Sequence, residues 1–200
     1  MTVDRSVWYC QVMTATQTSA RDRLLAAANE LFYEEGVHTV GIDRVIAHAG
    51  VAKATLYNAF GSKDELIRAY LNGRHEVRRE RITEAIARHK SPRARVLAVF
   101  EALAESTSDP RYHGCAFVNA GAEAAPGSPI VQAVDDYRGW VRELFTQLAR
   151  EVGVARPEPL ARALHMLYDG AGLSARLDRD PNAASAARAV AAALLDEATA

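Results

Sequence analysis

The sequence predicts an all-α fold, with an N-terminal three-helix helix-turn-helix head and a C-terminal helical bundle. Three observations lead there. Apolar residues recur at helical spacing along nearly all of the 200 residues, while alternating β-branched runs bounded by turn residues are scarce. Serine–proline and aspartate–proline pairs and glycines fall where helices would start and stop. Two adjacent helices near the front are only about eight residues long and are separated by a glycine, which is how a helix-turn-helix is built.

The first 18 residues read as a flexible tail. They lack the basic and apolar regions of a signal peptide, and Met13 is a second candidate for the native start beside Met1. The first helix follows, with Leu24, Leu25, Ala28, Leu31 and Phe32 on one face. Ser19 is its N-cap, Asp22 stands in a capping-box position, and Gly36 stops it. Short helices are expected over about 42–49 and 52–59. Ile42, Val45, Ile46 and Ala49 form the buried stripe of the first; Leu56 and Phe60 anchor the second, with Val51 plugging the angle between them. Ser62 and Glu65 then open a long helix over about 63–89. Ser91-Pro92, Ser128-Pro129 and Asp180-Pro181 each place an N-cap type before a proline, and helices are expected over about 92–107, 114–124, 129–152, 158–177 and 182–197. The domains are therefore a tail at 1–18, a head at 19–65 and a body at 66–200.

Composition excludes several classes. A net charge of −1 argues against a globally basic nucleic-acid coat, though residues 1–90 carry +2 and residues 91–200 carry −3. Cys10 and Cys115 are no disulfide framework, so a reduced cytoplasmic setting is expected. No apolar run approaches the roughly 20 residues that span a bilayer.

The stretch "GIDRVIAHAGVAKATLYNAFGSKDEL", Gly41 to Leu66, carries the chemistry. Its second short helix bears Lys53, Thr55, Tyr57 and Asn58. Lysine neutralises phosphate or donates to guanine, and asparagine pairs with adenine in the major groove. Tyrosine and threonine hydroxyls hold phosphate oxygens and fix register. Lys63 meets a phosphate near a helix start. A helical hairpin with a merely solvated polar face has the same spacing.

Within it, "AGVAKATLYNAFGSKDEL" resembles the signature of the tetracycline-repressor (TetR) family of bacterial regulators, A-G-V-S-x-G-T-L-Y-x-H-F-x-S-K-E-x-L. The resemblance covers about residues 19–70 and implies a homodimer with a DNA-binding head and a ligand-binding, dimer-forming body. It places Lys53, Thr55, Tyr57, Asn58 and Lys63 on positions that often meet DNA. Gly41, Ala52 and Ala59 stand where the family more often has threonine, serine and histidine, and Arg44, where an acid is common, would compensate for the lost phosphate contacts. The implied function is a ligand-responsive transcriptional regulator, a repressor released from double-stranded operator DNA by a small molecule.

The body has no motif of similar weight. Phe100, Leu103, Phe117, Tyr137, Trp140, Met166 and Tyr168, with Asn119, His165 and Asp169 as polar groups, are candidates for the ligand pocket; the same spacing also suits a plain core. Leu164, Leu167, Ala171, Leu194 and Leu195 are candidates for the dimer interface, and a core role is equally economical. "GAGLSA", Gly170 to Ala175, imitates a dinucleotide motif but sits in a helical pattern without a preceding strand, so it reads as small residues allowing close approach. His113 and Cys115 are too few for a metal site, and neither cofactor nor metal is expected. Two alternatives stay open: a thiol-based redox sensor acting through Cys115, and a helical enzyme using it.

Overall fold

Apolar stripes at helical spacing can be buried only against one another, and the computed structural model, which describes residues 19–199, shows how they pair. The tail at 1–18, with Cys10 and Met13, lies outside the described residues. Nine helices and no strand occur among the described residues. They are α1 (Ala20–Glu35), α2 (Ile42–Ala49), α3 (Lys53–Phe60), α4 (Lys63–Ala87), α5 (Pro92–Thr107), α6 (Ala116–Gly121), α7 (Pro129–Val152), α8 (Pro157–Leu177) and α9 (Ala183–Thr199).

The start signals act as read, with two differences. Ser19 Oγ accepts from Asp22 N at 3.1 Å, and Ser62 Oγ accepts from Glu65 N at 3.1 Å. The Glu65 carboxylate, however, pairs with Arg68 at 2.6 Å, so only half of that capping box forms. Asp180 does not cap α9: its side chain accepts from Asn182 N at 2.8 Å, closing a turn through Pro181, and the helix begins at Ala183. The α6 helix is shorter than expected because Gly114 is left-handed, with φ 95°, and Cys115 is extended.

Head and body share one hydrophobic cluster. In the head, Leu24, Val45 and Leu56 are completely buried, and Gly50 turns the chain between α2 and α3 in the left-handed region at φ 62°. A Cβ at Gly50 would meet nothing within 4 Å, so the turn needs glycine for its conformation, not for space. The 25 residues of α4, about 37 Å of helix, run through the expected boundary at 65/66 without a break. This helix packs on α1 and α3 in the head and on α5, α6 and α7 in the body. Phe32 of α1 meets Tyr70 of α4 edge-on at 5.8 Å. Behind it, α8 packs between α7 and α9, and α9 returns onto α5.

Candidate nucleic-acid interface

One buried leucine organises the exposed face of α3. Leu56 points into the head, so Lys53, Tyr57 and Asn58 are left exposed and Thr55 half-buried on the other sides of the same two turns. An exposed tyrosine, 46% accessible, on so short a helix has no packing role to explain it. The Lys53 ammonium is tied to Asp43 of α2 at 2.8 Å, and that carboxylate raises its pKa by hydrogen bond and charge. A phosphate would therefore take over a lysine already held in place by a carboxylate. Lys63 is half-buried at the first position of α4, where burial lowers its pKa against the opposing charge of Asp64.

Arg44 is engaged elsewhere. Its guanidinium grips Glu35 at both oxygens, one contact measuring 2.7 Å, which ties α2 back to the end of α1. The expected compensation for the missing phosphate contacts thus needs this ion pair to open. The head offers another route. Gly41 and Ala52 give no side-chain cap, so the first-turn N–H groups of α2 and α3 lack a side-chain acceptor. Helix starts of that kind bind phosphate oxygens. The departures from the family pattern at these two positions therefore remove side-chain contacts and leave backbone donors in their place.

Eight of the ten body residues expected to form a pocket fall into three groups. Phe117 stacks on Tyr137 at 3.7 Å, Tyr137 lies 6.3 Å from Trp140, and His75 meets Tyr137 and Trp140 at 5.5 and 5.1 Å. Phe100 joins Tyr168 at 6.2 Å, with Leu103 buried in the same core. His165 is buried 3.5 Å from Asp169, which Arg138 holds at 2.8 Å. Burial keeps the His165 imidazole below the usual histidine range. Asn119 and Met166 are not brought into this set. Asn119 is exposed and donates to His113 O at 3.1 Å, and Met166 is 70% accessible.

Met166 belongs to another face. With Leu173 and Leu177 of α8 it forms an exposed apolar stripe, and Val190 of α9 is exposed as well. The residues expected at a dimer interface, for which a core role is equally economical, are turned inward in the single chain: Leu164 and Leu195 are fully buried, Ala171 is buried, and Leu167 and Leu194 are partly buried against the core. The physical reason is phase. The stripe that fills the monomer core and the stripe that stays exposed are offset by two residues along α8, and residue type alone does not choose between them. Gly172 within "GAGLSA" is buried, and a Cβ there would stand 3.1 Å from Tyr112 Oη. Close approach is indeed its role, but to a tyrosine that donates to its carbonyl at 3.1 Å.

Sequence reasoning missed a group at the junction. Tyr33 of α1 donates to Gly114 O at 3.2 Å and accepts from His113 N at 3.1 Å, so a head side chain holds a body loop. Arg74 lies over its ring at 3.5 Å. One turn on, Arg78 donates to Tyr137 Oη at 2.9 Å and contacts Cys115 Sγ at 3.6 Å. The signal was present: positions 67, 71, 74, 78 and 82 form one stripe of α4, and arginines occupy two of its five places. Among the described residues, no group of three or more His, Cys, Asp or Glu is placed to hold a metal, and no helix is long and apolar enough to cross a membrane.

Comparison with known proteins bears on this geometry. A family model described as bacterial regulatory proteins, tetR family, matches residues 24–70. The crystal structure of a TetR-family transcriptional regulator from Streptomyces coelicolor is 37% identical, covers 90% of this chain and 96% of its own, and superposes with a TM-score of 0.84. The transcriptional repressor NemR of Escherichia coli is 27% identical over 176 residues, 82% of this chain and 87% of its own; its reduced form superposes with a TM-score of 0.73. The transcriptional activator FasR of Mycolicibacterium smegmatis is 37% identical over 83 residues, which span 42% of this chain and 38% of FasR.

Proposed function

This chain belongs to the tetR family of bacterial regulatory proteins, and from that membership we propose that it is a homodimeric repressor released from operator DNA by a small molecule. The polar face of α3 carries the reading: Lys53, Thr55, Tyr57 and Asn58 stand around a buried Leu56 on a helix too short to need them for folding. In this reading residues 19–65 enter the major groove, with Lys63 and the starts of α2 and α3 on phosphates. Residues 66–200 bind the effector and the second copy, in the cytoplasm. The exposed Met166, Leu173, Leu177 and Val190 supply the dimer face. Two copies present their α3 helices about 34–36 Å apart or somewhat more, one turn of DNA.

Release is a population shift. An effector that binds the body more tightly in one head spacing than in another weakens DNA binding by that difference and no more. The continuous α4 and the Tyr33 link to the 113–115 loop connect the two regions. The role is regulatory and not enzymatic. A second reading, a thiol-based switch, is favoured by one contact, the cationic Arg78 3.6 Å from Cys115 Sγ, and by the resemblance to NemR, whose structure was solved in a reduced form.

The test is fluorescence anisotropy of the purified protein with DNA from upstream of its own gene, over a salt series. The proposal expects binding that falls with salt, exceeds random DNA by about 10³ or more and weakens in Asn58→Ala. Peroxide treatment of wild type and Cys115→Ser separates the second reading: release that needs the thiol supports it.

A further inference from the structure

A cation inside a protein core costs free energy unless an anion or several acceptors answer it. Arg78 has no carboxylate within ion-pair distance among the described residues; its partners are a phenol and a thiol. Among the described residues Arg74 also has no carboxylate partner, and its Nη2 is buried without a hydrogen bond. One residue on, His75 Nε2 is buried and unpartnered too, against Phe117, Tyr137 and Trp140. Arg78 and the unpartnered His75 thus face an aromatic cluster that supplies no negative charge, and Arg74, one turn before Arg78, lies over Tyr33 instead.

The surface beside this cluster is basic as well. A cleft of about 280 Å³ is lined by Thr107, Tyr112, Ala175, Arg176, Arg179 and Asp180, among others. Arg176 and Arg179 have no carboxylate partner among the described residues, while the Asp180 side chain is occupied by the turn to Asn182. Arg179 sits at φ 55°, a conformation few non-glycine residues adopt. The stem of Arg176 lies against Gly114, next to Cys115. Tyr112 forms one wall of the cleft, and its hydroxyl donates to Gly172 O at 3.1 Å. Basic groups therefore stand both at this surface cleft and beside the aromatic cluster, with Gly114 and Cys115 between Arg176 and Arg78.

We infer that the effector is an organic acid with an apolar or aromatic body, drawn in past Arg176 and Arg179 and held by its carboxylate at Arg78 and Arg74. The inference rests on the effector-responsive reading above and gives it a chemical class. The carboxylate takes Arg78 from Tyr137 and Cys115, an ion pair replacing bonds from the same guanidinium to neutral acceptors. The acid's apolar part opens the Phe117–Tyr137 stack, and displacing Cys115 moves the loop whose neighbours His113 and Gly114 are held by Tyr33 of the head.

The experiment is a thermal-shift and tryptophan-fluorescence titration of the full chain with sodium benzoate and 3-phenylpropionate. Benzamide and 3-phenylpropionamide are the neutral controls, at constant ionic strength. The acids are expected to raise Tm and the amides to do nothing. Arg78→Gln is expected to weaken the acids about tenfold or more, the loss of a charge-assisted bond. Arg176→Gln, an exposed position, tests the entrance should the core variant fail to fold, and weakens them a few-fold. Equal effects of acid and amide, acid binding unchanged in both variants, or no response up to about 10 mM each overturn the proposal. Operator binding in the same samples keeps the two readings apart. DNA binding without an acid response overturns the acid class and leaves the regulator, whereas acid binding without sequence-specific DNA binding does the reverse.

Discussion

Replacing Tyr33 with phenylalanine removes one hydroxyl and keeps the ring under Arg74. In the folded protein that hydroxyl makes two bonds across the head–body junction, to Gly114 O and from His113 N. The region is partly buried, so the two backbone groups are not freely taken over by water. Each bond contributes about 1 kcal/mol net, so Tyr33→Phe should cost about 2 kcal/mol. For a chain of this size that is a fall in Tm of about 4–8 °C. The same substitution should raise hydrogen exchange at the His113 amide by up to about thirtyfold, because each 1.4 kcal/mol of lost protection is about tenfold. Linkage adds a second readout. Operator DNA, by fixing the head, should slow exchange at residues 113–115 in wild type and have little effect there in Tyr33→Phe. A variant with unchanged Tm and unchanged exchange at His113 would refute the reasoning. A lower Tm with DNA protection of the loop intact would make Tyr33 a stabiliser that transmits nothing.

Other predictions concern the head and the buried histidines. Leu56→Ala empties the fully buried centre of the head and should cost about 2–5 kcal/mol, read by denaturant unfolding, with DNA binding lost alongside. Asp43→Asn frees Lys53 from its carboxylate at 2.8 Å and should tighten DNA binding and steepen its salt dependence; weaker binding would mean that Asp43 positions the lysine productively. Burial holds His75 and His165 below the ordinary value of 6.5. The unfolded chain then takes up protons that the folded chain does not, so stability should decline as pH falls from about 7 towards 5. His75→Phe should flatten that decline in pH-dependent melting curves.

Much of this molecule was legible because the deciding signals are local. Caps at Ser19, Ser62, Ser91 and Ser128 and the left-handed Gly50 set helix limits through contacts a few residues away. The polar face of α3 follows from the position of Leu56 alone. The body was less legible because burial there depends on which of two adjacent stripes meets a neighbour. Leu164 and Met166 are both apolar and two residues apart, yet one is fully buried and the other 70% exposed. The ion pair of Arg44 with Glu35 was not legible because Glu35 lies on another helix. Arg74 and Arg78 were overlooked because arginine is read as a surface residue, although their places in the α4 stripe mark them as inward-facing.

The most direct measurement is a selection of bound genomic fragments by the full chain, with Lys53→Ala/Asn58→Ala as its control. The account predicts enrichment of an inverted repeat whose half-sites lie about one helical turn apart, and its loss in the double variant. Fragments without a shared motif, or a motif equally enriched by the variant, would contradict the assignment of α3 as the reading helix.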